Sequence, residues 1–491
     1  MSQFIALDLG AESGRVVIGR LTANRLQLED VHRFPNAGVR VLGSLHWDAL
    51  RLFSEIKNGL AKVRHEHGRD FVSAGVDTWG IDYALLDGSG ALVGNPYCYR
   101  DGRTEGMMAA AFKAVPRQEI YERSGGIQFM EINTLYQLYS MAVRRSPQLA
   151  SAATFLMMPD LFHYWLTGRK TVEYTNATTT QFYDSRAKAW SVELLDKLGI
   201  PAHIFPEVIA AGTVLGPLAA DVAEETGFAA LQVVAPATHD TASAVVAVPA
   251  ADDDFLWLSS GTWSLLGAVS DHAIVTPEAL SYNISSYGGA GGTVLPWKNI
   301  AGLWLVQECR RVWAREDTSY SYDDLTQLAA AAPPFVAVID PDDPSFFAPH
   351  DMPAAIQAFC QKTGQAVPQT HGEIVRTVLE GLALRYRWVA DKLEELWGRQ
   401  TFTVVHIVGG GSQNRLLCQF AADSLQRPVV AGPVEATAIG NIALQAVAMG
   451  TFSSLAEARS VIRASFDVVS YEPRPAGAWD TAYERFLQLA G

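Results

Sequence analysis

Short apolar runs that lead into turns recur along the chain and predict an α/β fold. Such runs lie at residues 4–10, 71–77, 231–235, 255–260 and 402–408. Between them, apolar positions at steps of three and four residues from 374 to 396 predict a long amphipathic helix, with the capping box of Thr370 and Glu373 at its start. Residues 159–166 predict another helix, which opens with Pro159 and ends at Gly168.

One plan of strand, glycine-and-hydroxyl turn and strand occurs twice. Residues 5–19 carry it first, and residues 255–267 repeat it after an acidic connector at residues 249–254. The repetition predicts a fold of two similar halves, each offering one phosphate-binding turn to a central cleft. The predicted domains are residues 1–248 and residues 249–491.

Composition narrows the class of protein. The 491 residues exceed the size of a single core, so two or three domains are expected. A net charge of −14 disfavours nucleic acid as a partner. The four cysteines are far apart in sequence and form no Cys-x-x-Cys pair, which favours reduced thiols. Because the chain shows neither a signal peptide nor a run of 18 apolar residues, we expect a cytoplasmic protein without a membrane partner.

Asp240 is the candidate general base. It follows the predicted strand 231–235 and precedes small residues that predict a closely packed helix. In open α/β folds this junction is where ligands bind, because the amides of the helix N-terminus can face an anion. The alternative is that Asp240 only caps the helix.

Three further turns carry candidate chemistry. Residues 11–15 form a tight turn whose amides and hydroxyl could hold a phosphate, with Asp8 placed to hold Mg²⁺ through water. Trp79 and Gly80 give a flat apolar face beside bare backbone, which suits a sugar ring, although a core tryptophan is an equal alternative. The triple glycine at 409–411 lets adenine and ribose lie against the backbone.

Several common site motifs are absent from the sequence. There is no Gly-Lys dipeptide, no G-x-G-x-x-G, no His-Glu-x-x-His and no G-x-S-x-G. Their absence argues against a Walker-type phosphate loop, a simple Rossmann dehydrogenase, a zinc peptidase of this type and an α/β-hydrolase. Phosphate sites of the hairpin type remain, and these are typical of actin-like ATPases.

Five motifs in order resemble the FGGY family of carbohydrate kinases. They are Leu-Asp-Leu-Gly-Ala-x-Ser-Gly-Arg at residues 7–15, Asp-Thr-Trp-Gly at 77–80, His-Asp-Thr-Ala-Ser at 239–243, Leu-Ser-Ser-Gly-Thr-Trp-Ser at 258–264 and His-Ile-Val-Gly-Gly-Gly at 406–411. The resemblance extends from the first strand to about residue 450. It implies two actin-like (ribonuclease H-like) α/β domains around a central cleft, with ATP, Mg²⁺ and a small-molecule sugar bound there.

Matching positions transfer the family's functional residues to this chain. The resemblance implies Asp240 as proton acceptor and Asp8 as the metal-associated carboxylate. It implies sugar contacts at Gly80, His239, Asp240, Thr241 and Asn299. It implies nucleotide contacts at Ala11, Glu12, Ser13, Gly14, Arg15, Thr262, Gln307 and Gly410. Glu12 departs from the expected pattern, because a carboxylate in a phosphate turn repels phosphate unless it points outward or meets Arg15.

The implied reaction is transfer of the γ-phosphoryl group of ATP to the C1 hydroxyl of L-rhamnulose. Another ketose, such as L-fuculose or L-xylulose, stays open as the acceptor. An actin-like nucleotide switch is the alternative of a different class, in which the sugar-facing motifs at 77–80 and 239–241 would have no role. The chain is expected to be a monomer or a homodimer.

Overall fold

The structure is a computed structural model that describes residues 1–22, 24–252, 254–315, 317–347, 349–398 and 402–490. Asp253 of the acidic connector lies outside the described residues. The strands are β1 (Ser2–Leu9), β2 (Ser13–Thr22), β3 (Arg25–Pro35), β4 (Val39–Val41), β5 (Ser44–His46), β6 (Ser73–Thr78), β7 (Tyr83–Leu86), β8 (Thr154–Met157), β9 (Val172–Glu173), β10 (Tyr183–Asp184), β11 (Ala189–Trp190), β12 (Val208–Ile209), β13 (Thr213–Pro217), β14 (Gln232–Ala235), β15 (Phe255–Ser260), β16 (Trp263–Gly267), β17 (Ser285–Gly288), β18 (Val294–Ala301), β19 (Val404–Val408), β20 (Val429–Ala431) and β21 (Val469–Tyr471).

The helices follow the pattern of apolar positions. They are α1 (Ala49–His67), α2 (Met107–Ala114), α3 (Arg117–Arg123), α4 (Thr134–Val143), α5 (Pro147–Ser151), α6 (Met158–Thr167), α7 (Tyr174–Ala177), α8 (Val192–Lys197), α9 (Ala220–Thr226), α10 (Asp240–Val246), α11 (Pro277–Tyr282), α12 (Trp304–Arg315), α13 (Tyr322–Ala331), α14 (Met352–Lys362), α15 (His371–Trp397), α16 (Arg415–Leu425), α17 (Ala436–Ala448), α18 (Leu455–Ser465) and α19 (Gly477–Leu489). Among the described residues, none of these helices has the length and apolar character needed to cross a membrane.

Both helices predicted from local signals are confirmed. The long helix is α15, and Thr370 and Glu373 form its capping box. The second is α6, which has Pro159 in its first turn and ends at Gly168 in the left-handed conformation. These helices could be located from sequence because capping and termination depend on residues within a few positions of the helix ends.

The described residues form two compact units. The first unit comprises Met1–Pro249, Val269–Pro296 and Ala436–Ser465. The second unit comprises Ala250–Ala268, Trp297–Glu435 and the described residues from Phe466 onward. The first unit thus takes in two later segments in addition to the predicted domain 1–248, and the division at 248 and 249 stays a prediction.

The central sheets of the two units share one topology. In the first unit the strand order is β3, β2, β1, β6, β14 and β13, and the successive pairs are antiparallel, antiparallel, parallel, parallel and antiparallel. In the second unit the order β18, β16, β15, β19, β20 and β21 repeats the same series of pairs. The duplication predicted from the two hairpins therefore extends over six consecutive strands of each sheet.

Helix α17 packs against the sheet of the first unit. It contacts α10, β1 and β6, and the strands beneath it are fully buried at Ile5 and Leu7. A β-carbon at Gly440 would lie 1.8 Å from the carbonyl oxygen of Ser243, so only glycine permits this approach of α17 to α10. The small residues after Asp240 serve this close helix packing, as predicted.

Candidate active site

Asp240 lies where β14 gives way to α10. It is the first residue of the helix, and its Oδ1 accepts hydrogen bonds from the Thr241 backbone N–H at 2.6 Å and the Thr241 hydroxyl at 3.2 Å. Burial by the surrounding protein, with a smaller contribution from the negative charge of Asp8, raises the pKa of Asp240 to about 7. The side chain is still 32% exposed, so a substrate hydroxyl can reach it. A carboxyl group with this pKa is well suited to accept a proton at neutral pH.

His239 precedes Asp240 and is held by its backbone. Its N–H donates to the Thr175 hydroxyl at 3.2 Å, and the preceding carbonyl, of Thr238, accepts from the Thr78 N–H at 2.9 Å. Burial lowers the pKa of His239 to about 4, so the ring is neutral near pH 7. The 3.5 Å approach of Nε2 to Asp240 Oδ1 is consequently a contact with a neutral imidazole, not an ion pair.

The expected sugar residue Gly80 faces this histidine. A β-carbon at Gly80 would lie 3.2 Å from His239 Nε2 and 3.0 Å from the Thr179 methyl carbon. The structure thus brings together Gly80, His239, Asp240 and Thr241, four of the five residues expected at the sugar. Any larger residue at position 80 would occupy the space beside the imidazole.

Three carboxylates lie close together in the first unit. Asp8 and Asp77 are register partners on the parallel strands β1 and β6. Asp77 is fully buried, and burial followed by the charges of Asp8 and Asp240 raises its pKa well above the usual range. Asn441 Nδ2 donates to Asp77 Oδ2 at 2.5 Å, whereas Asp77 Oδ1 is buried and has no hydrogen-bond partner within the described residues.

The first glycine-and-hydroxyl turn joins β1 to β2. The Gly10 N–H donates to the Ser13 carbonyl at 2.9 Å, and Asn36 clamps the turn by bonding the Gly10 and Glu12 carbonyls at 2.8 and 2.9 Å. Arg15 Nε and Nη2 both donate to Asp8 Oδ2, at 2.9 and 2.8 Å. The Glu12 side chain is exposed, so its charge is solvated.

The expected nucleotide residues Ala11, Ser13 and Gly14 belong to this same turn. Ala11 is half-buried, Ser13 is exposed and Gly14 is buried. A β-carbon at Gly14 would lie 2.3 Å from the Phe34 ring, so this glycine is required by packing within the sheet. The exposed tip of the turn is therefore formed by Ala11, Glu12 and Ser13.

Trp79 is a core residue, which was the alternative to a surface that stacks on a sugar. It is 6% exposed, and its ring centroid lies 4.3 Å from that of Trp47. Both indole N–H groups donate to Asp82 Oδ2, at 3.0 Å from Trp79 and 2.5 Å from Trp47. Because the Trp79 ring is packed inside the protein, the structure favours a supporting role over stacking on a sugar.

In the second unit, a corresponding turn joins β15 to β16. The Gly261 N–H donates to the Trp263 carbonyl at 2.9 Å, and the Thr262 carbonyl accepts from the Trp304 N–H at 3.1 Å. Thr262 is half-buried. The start of α12 is thus tied to the turn, and Gln307 lies half-buried one turn further along that helix.

The three glycines that follow β19 differ in how closely they are packed. A β-carbon at Gly411 would lie 2.0 Å from Ser260 Oγ, whereas one at Gly410 would meet nothing within 4 Å. Gly410 is also exposed. Gly411 therefore serves packing, and Gly410 leaves open backbone surface of the kind predicted for a nucleotide.

Asn299 lies on β18 of the second unit. It pairs with Leu265 in the sheet, and its Oδ1 accepts a hydrogen bond from Trp297 Nε1 at 3.1 Å. Its side chain is half-buried. The expected contact of Asn299 with the sugar stays a prediction.

The residues of the first unit fit an Mg²⁺ ion that binds together with a phosphate ligand. The described residues contain no group of three or more His, Cys, Asp or Glu side chains that could hold a metal ion by themselves. Mg²⁺ in phosphoryl-transfer sites commonly takes one or two carboxylates together with substrate phosphates and water. Asp8 lies beside Asp77 and Asp240, whose pKa values are raised by burial and in part by neighbouring carboxylates, and a bound cation would reduce that repulsion. Within the described part of the chain, the buried Asp77 Oδ1 has no hydrogen-bond partner.

Comparison with protein families identifies the class. The description "FGGY family of carbohydrate kinases" fits residues 3–247 for its N-terminal domain and residues 256–449 for its C-terminal domain. The chain belongs to the FGGY family of carbohydrate kinases, and it is an enzyme of that type. The resemblance drawn from the five motifs is thereby confirmed.

Individual relatives narrow the comparison. The chain is 43% identical to a rhamnulokinase of Bacteroides thetaiotaomicron over 483 residues, which cover 98% of each chain. It is 41% identical to a rhamnulokinase of Halalkalibacterium halodurans, covering 96% of this chain and 99% of the relative. Both relatives resemble the chain over nearly its whole length.

Solved structures support the fold. A ligand-bound xylulose kinase of Lactobacillus acidophilus matches with a TM-score of 0.84 at 16% identity, covering 100% of this chain and 98% of that one. Plasmodium falciparum glycerol kinase with ADP matches with a TM-score of 0.79 at 15% identity, covering 99% and 98%. The predicted fold class of two actin-like α/β domains is confirmed.

Sequence reasoning missed residues that support the site. Asn441 and Gln445 of α17 form a buried chain in which Gln445 Nε2 donates to Asn441 Oδ1 at 2.6 Å and Asn441 bonds Asp77. Thr179 also supports the site, because its Oγ1 accepts from the Ile81 N–H at 3.0 Å beside Gly80. Two amide side chains four positions apart in the mostly apolar sequence of α17 are the signal that could have indicated a buried network.

Proposed function

We propose that this protein transfers the γ-phosphoryl group of ATP to the C1 hydroxyl of L-rhamnulose, giving L-rhamnulose 1-phosphate and ADP in L-rhamnose catabolism. Asp240 carries the proposal: a partly accessible carboxyl group with a pKa of about 7 stands at a strand-to-helix junction beside a neutral His239. Rhamnulokinases that are more than 40% identical over nearly the whole chain support the choice of sugar.

Asp240 acts as the proton acceptor in this mechanism. As the sugar oxygen forms its bond to the γ-phosphorus, the bond from that phosphorus to the bridging oxygen of ADP breaks, and the hydroxyl proton moves to Asp240. Neutral His239 offers the sugar a hydrogen-bonding ring nitrogen without adding a positive charge that would lower the basicity of Asp240. Gly80 keeps the space beside that ring open for the sugar.

The remaining predicted residues hold the nucleotide and the metal. The turn of Ala11, Glu12, Ser13, Gly14 and Arg15 presents backbone to the phosphates, and Thr262, Gln307 and Gly410 contact the nucleotide. Mg²⁺, when bound near Asp8, supplies positive charge against the phosphate oxygens. Arg15 keeps the Asp8 carboxylate oriented through one of its oxygens.

An actin-like nucleotide switch is disfavoured by the same geometry. A switch needs no proton acceptor for a sugar hydroxyl, so it would gain nothing from a carboxyl group with a pKa near 7 beside Gly80 and a buried histidine.

We further propose a cytoplasmic setting, supported by four buried cysteines that form no disulfide. The state of monomer or homodimer stays a prediction.

The test is ADP release from Mg-ATP with a panel of acceptors. L-rhamnulose, L-fuculose, L-xylulose and glycerol are supplied separately, beside a control without sugar, and phosphorus NMR identifies the product. We expect L-rhamnulose to give the highest kcat/KM and a C1 phosphate ester. Equal turnover without sugar would instead establish the nucleotide switch, and a higher kcat/KM for another ketose would replace the acceptor.

A further inference from the structure

Asp82 collects hydrogen bonds from four separate segments of the first unit. Its Oδ2 accepts from Trp47 Nε1 at 2.5 Å, Trp79 Nε1 at 3.0 Å and the Tyr99 backbone N–H at 3.0 Å. Its Oδ1 accepts from Gln137 Nε2 at 2.8 Å. The carboxylate is fully buried, so these donors take the place of water around it.

The charge of Asp82 is retained without a basic partner. All four contacts are N–H donors of neutral groups, and no Lys or Arg side chain of the described residues forms an ion pair with Asp82. Burial raises the pKa of Asp82 to about 6 against the lowering effect of these donors, so the group is still mainly ionised at neutral pH. A buried carboxylate is costly to keep, which points to a requirement for an acceptor-only group at this position.

The residue between Gly80 and Asp82 has an unusual backbone. Ile81 has φ +65°, a conformation that is rare for a β-branched residue and that is maintained only when the surroundings impose it. Its N–H donates to Thr179 Oγ1 at 3.0 Å, and its carbonyl accepts from Thr134 Oγ1 at 2.6 Å and from Gln137 Nε2 at 3.4 Å. Gln137 therefore fixes Ile81 and Asp82 together.

This clamp places Gly80 where it faces the histidine of the site. The Asp82 N–H donates to the Gly80 carbonyl at 2.9 Å, which closes the loop on itself. On its other side, Gly80 lies against Thr179 and His239. A shift of Asp82 would consequently move the backbone of Gly80 relative to His239.

We propose that Asp82 is a positioning residue that fixes the loop of residues 79–82 and thereby determines which sugars the enzyme accepts. The proposal rests on the proposed function, because Gly80 is expected to contact the sugar. Asp82 does not touch the reacting atoms; it acts through Trp79, Ile81 and Gly80. An amide would present N–H groups to donors that need acceptors, so even the isosteric Asp82→Asn change disrupts the clamp.

The experiment compares Asp82→Asn with the wild-type protein over the same acceptor panel. We expect the KM for L-rhamnulose to rise about tenfold or more and the KM for ATP to change less than about twofold. The preference for L-rhamnulose over L-fuculose and L-xylulose should shrink. The matched control is Asp87→Asn, because Asp87 also organises a turn through hydrogen bonds to Ser89 and Ala91 but does so at the surface; it should leave both KM values and the preference unchanged.

Trp79→Phe is a milder second variant, and it tests the proposal even if Asp82→Asn does not fold. It keeps an aromatic ring and removes one of the four donors, so it should shift the sugar KM and the preference in the same direction by a smaller factor. Combined with Asp82→Asn, its effect should be less than multiplicative, because both act on one clamp.

Three results separate the proposals. An unchanged sugar KM and acceptor preference in the folded variant, or an equal rise in the KM for sugar and for ATP, would overturn the role of Asp82. A wild-type protein that no sugar stimulates would overturn the proposed function instead.

Discussion

The two units open with the same hairpin but give it different side chains. In the first, the turn between β1 and β2 is flanked by Asp8 and Arg15, which form an ion pair of 2.8 Å. In the second, the turn between β15 and β16 carries Thr262, and Gly411 packs against Ser260 at the end of β15. Both turns are closed by a backbone hydrogen bond of 2.9 Å and both lead to a strand pair of the same type.

The difference shows how one duplicated fold divides its chemistry. Under the proposed function, proton acceptance and binding of the phosphates would use ionisable groups, and Asp8, Asp77 and Asp240 lie together in the first unit. A planar, mostly uncharged base would instead lie on open backbone, of the kind that Gly410 leaves in the second unit. The topology is shared, so the side chains alone distinguish the two roles.

The largest effect is expected from Asp240→Asn. The amide cannot accept a proton at neutral pH, so kcat should fall by about 10²–10⁴-fold while ATP binding is retained. The control is Asp221→Asn, which removes an exposed carboxylate from the first turn of α9 in the same unit and should not change kcat. A near-normal kcat for Asp240→Asn would exclude Asp240 as the proton acceptor and leave it only its hydrogen bonds to Thr241 in the first turn of α10.

The next effect is expected in the second unit, from Gly410→Val. A side chain at Gly410 meets no protein atom within 4 Å, so the fold should be unchanged, but the KM for ATP should rise about tenfold because the valine occupies the nucleotide surface. Gly411→Val is the matched contrast, since its β-carbon would meet Ser260 Oγ at 2.0 Å and should lower stability by about 1–3 kcal/mol. Steady-state kinetics and thermal unfolding separate the two. Equal rises in the KM for ATP and for sugar would mean that Gly410 belongs only to a packing turn.

The dependence on pH should come from the first unit. Asp240 must be ionised to accept a proton, and its pKa is raised to about 7, so kcat/KM for the sugar should rise with pH and level off above that value. At pH 6 it should be about tenfold below the plateau. In the Asp8→Asn variant, the remaining kcat/KM should rise with pH at a lower pH than in the wild-type protein, because the neighbouring negative charge is gone. A profile that is flat down to pH 5 would exclude Asp240 as the titrating base.

The smallest effect is expected from Glu12→Gln. The side chain is exposed and its charge is screened by solvent, so the KM for ATP should change by less than about twofold. Glu224→Gln on the exposed face of α9 gives the same change in net charge far along the chain and serves as the control. A fall of about fivefold in the KM for ATP in Glu12→Gln alone would show that this carboxylate repels the bound phosphates.

Sequence patterns located strand ends and caps because these depend on neighbouring residues. Asp8 and Asp240 were found in this way, and the structure places both in one unit. The Thr-rich residues 171–180 show where local propensity fails: although threonine favours strands, only Val172–Glu173 is a strand and a helical turn follows. Thr178, Thr179 and Thr180 each bond a carbonyl three positions back, which favours the turn over a sheet.

Other properties of the site could not be predicted locally. The raised pKa of Asp240 depends on burial and on Asp8, which is distant in sequence. The partners of Asp77 and Asp82 come from α17, α4 and the segment before α1. Such convergence depends on the complete fold, so a reading of neighbouring residues identifies the functional groups but not the groups that hold them.

The late return of α17 to the first unit affects how the protein can be made. Asn441 bonds Asp77 across 364 positions, and Gln445 bonds the Ile5 carbonyl across 440. On the ribosome, the first strands must therefore wait for almost the entire chain before these bonds form, because the helix that completes them is synthesised near the end. A gene fragment that stops at residue 248 would encode a sheet whose buried carboxylate lacks its partner, so the first unit cannot be expressed as an independent module by cutting the chain there.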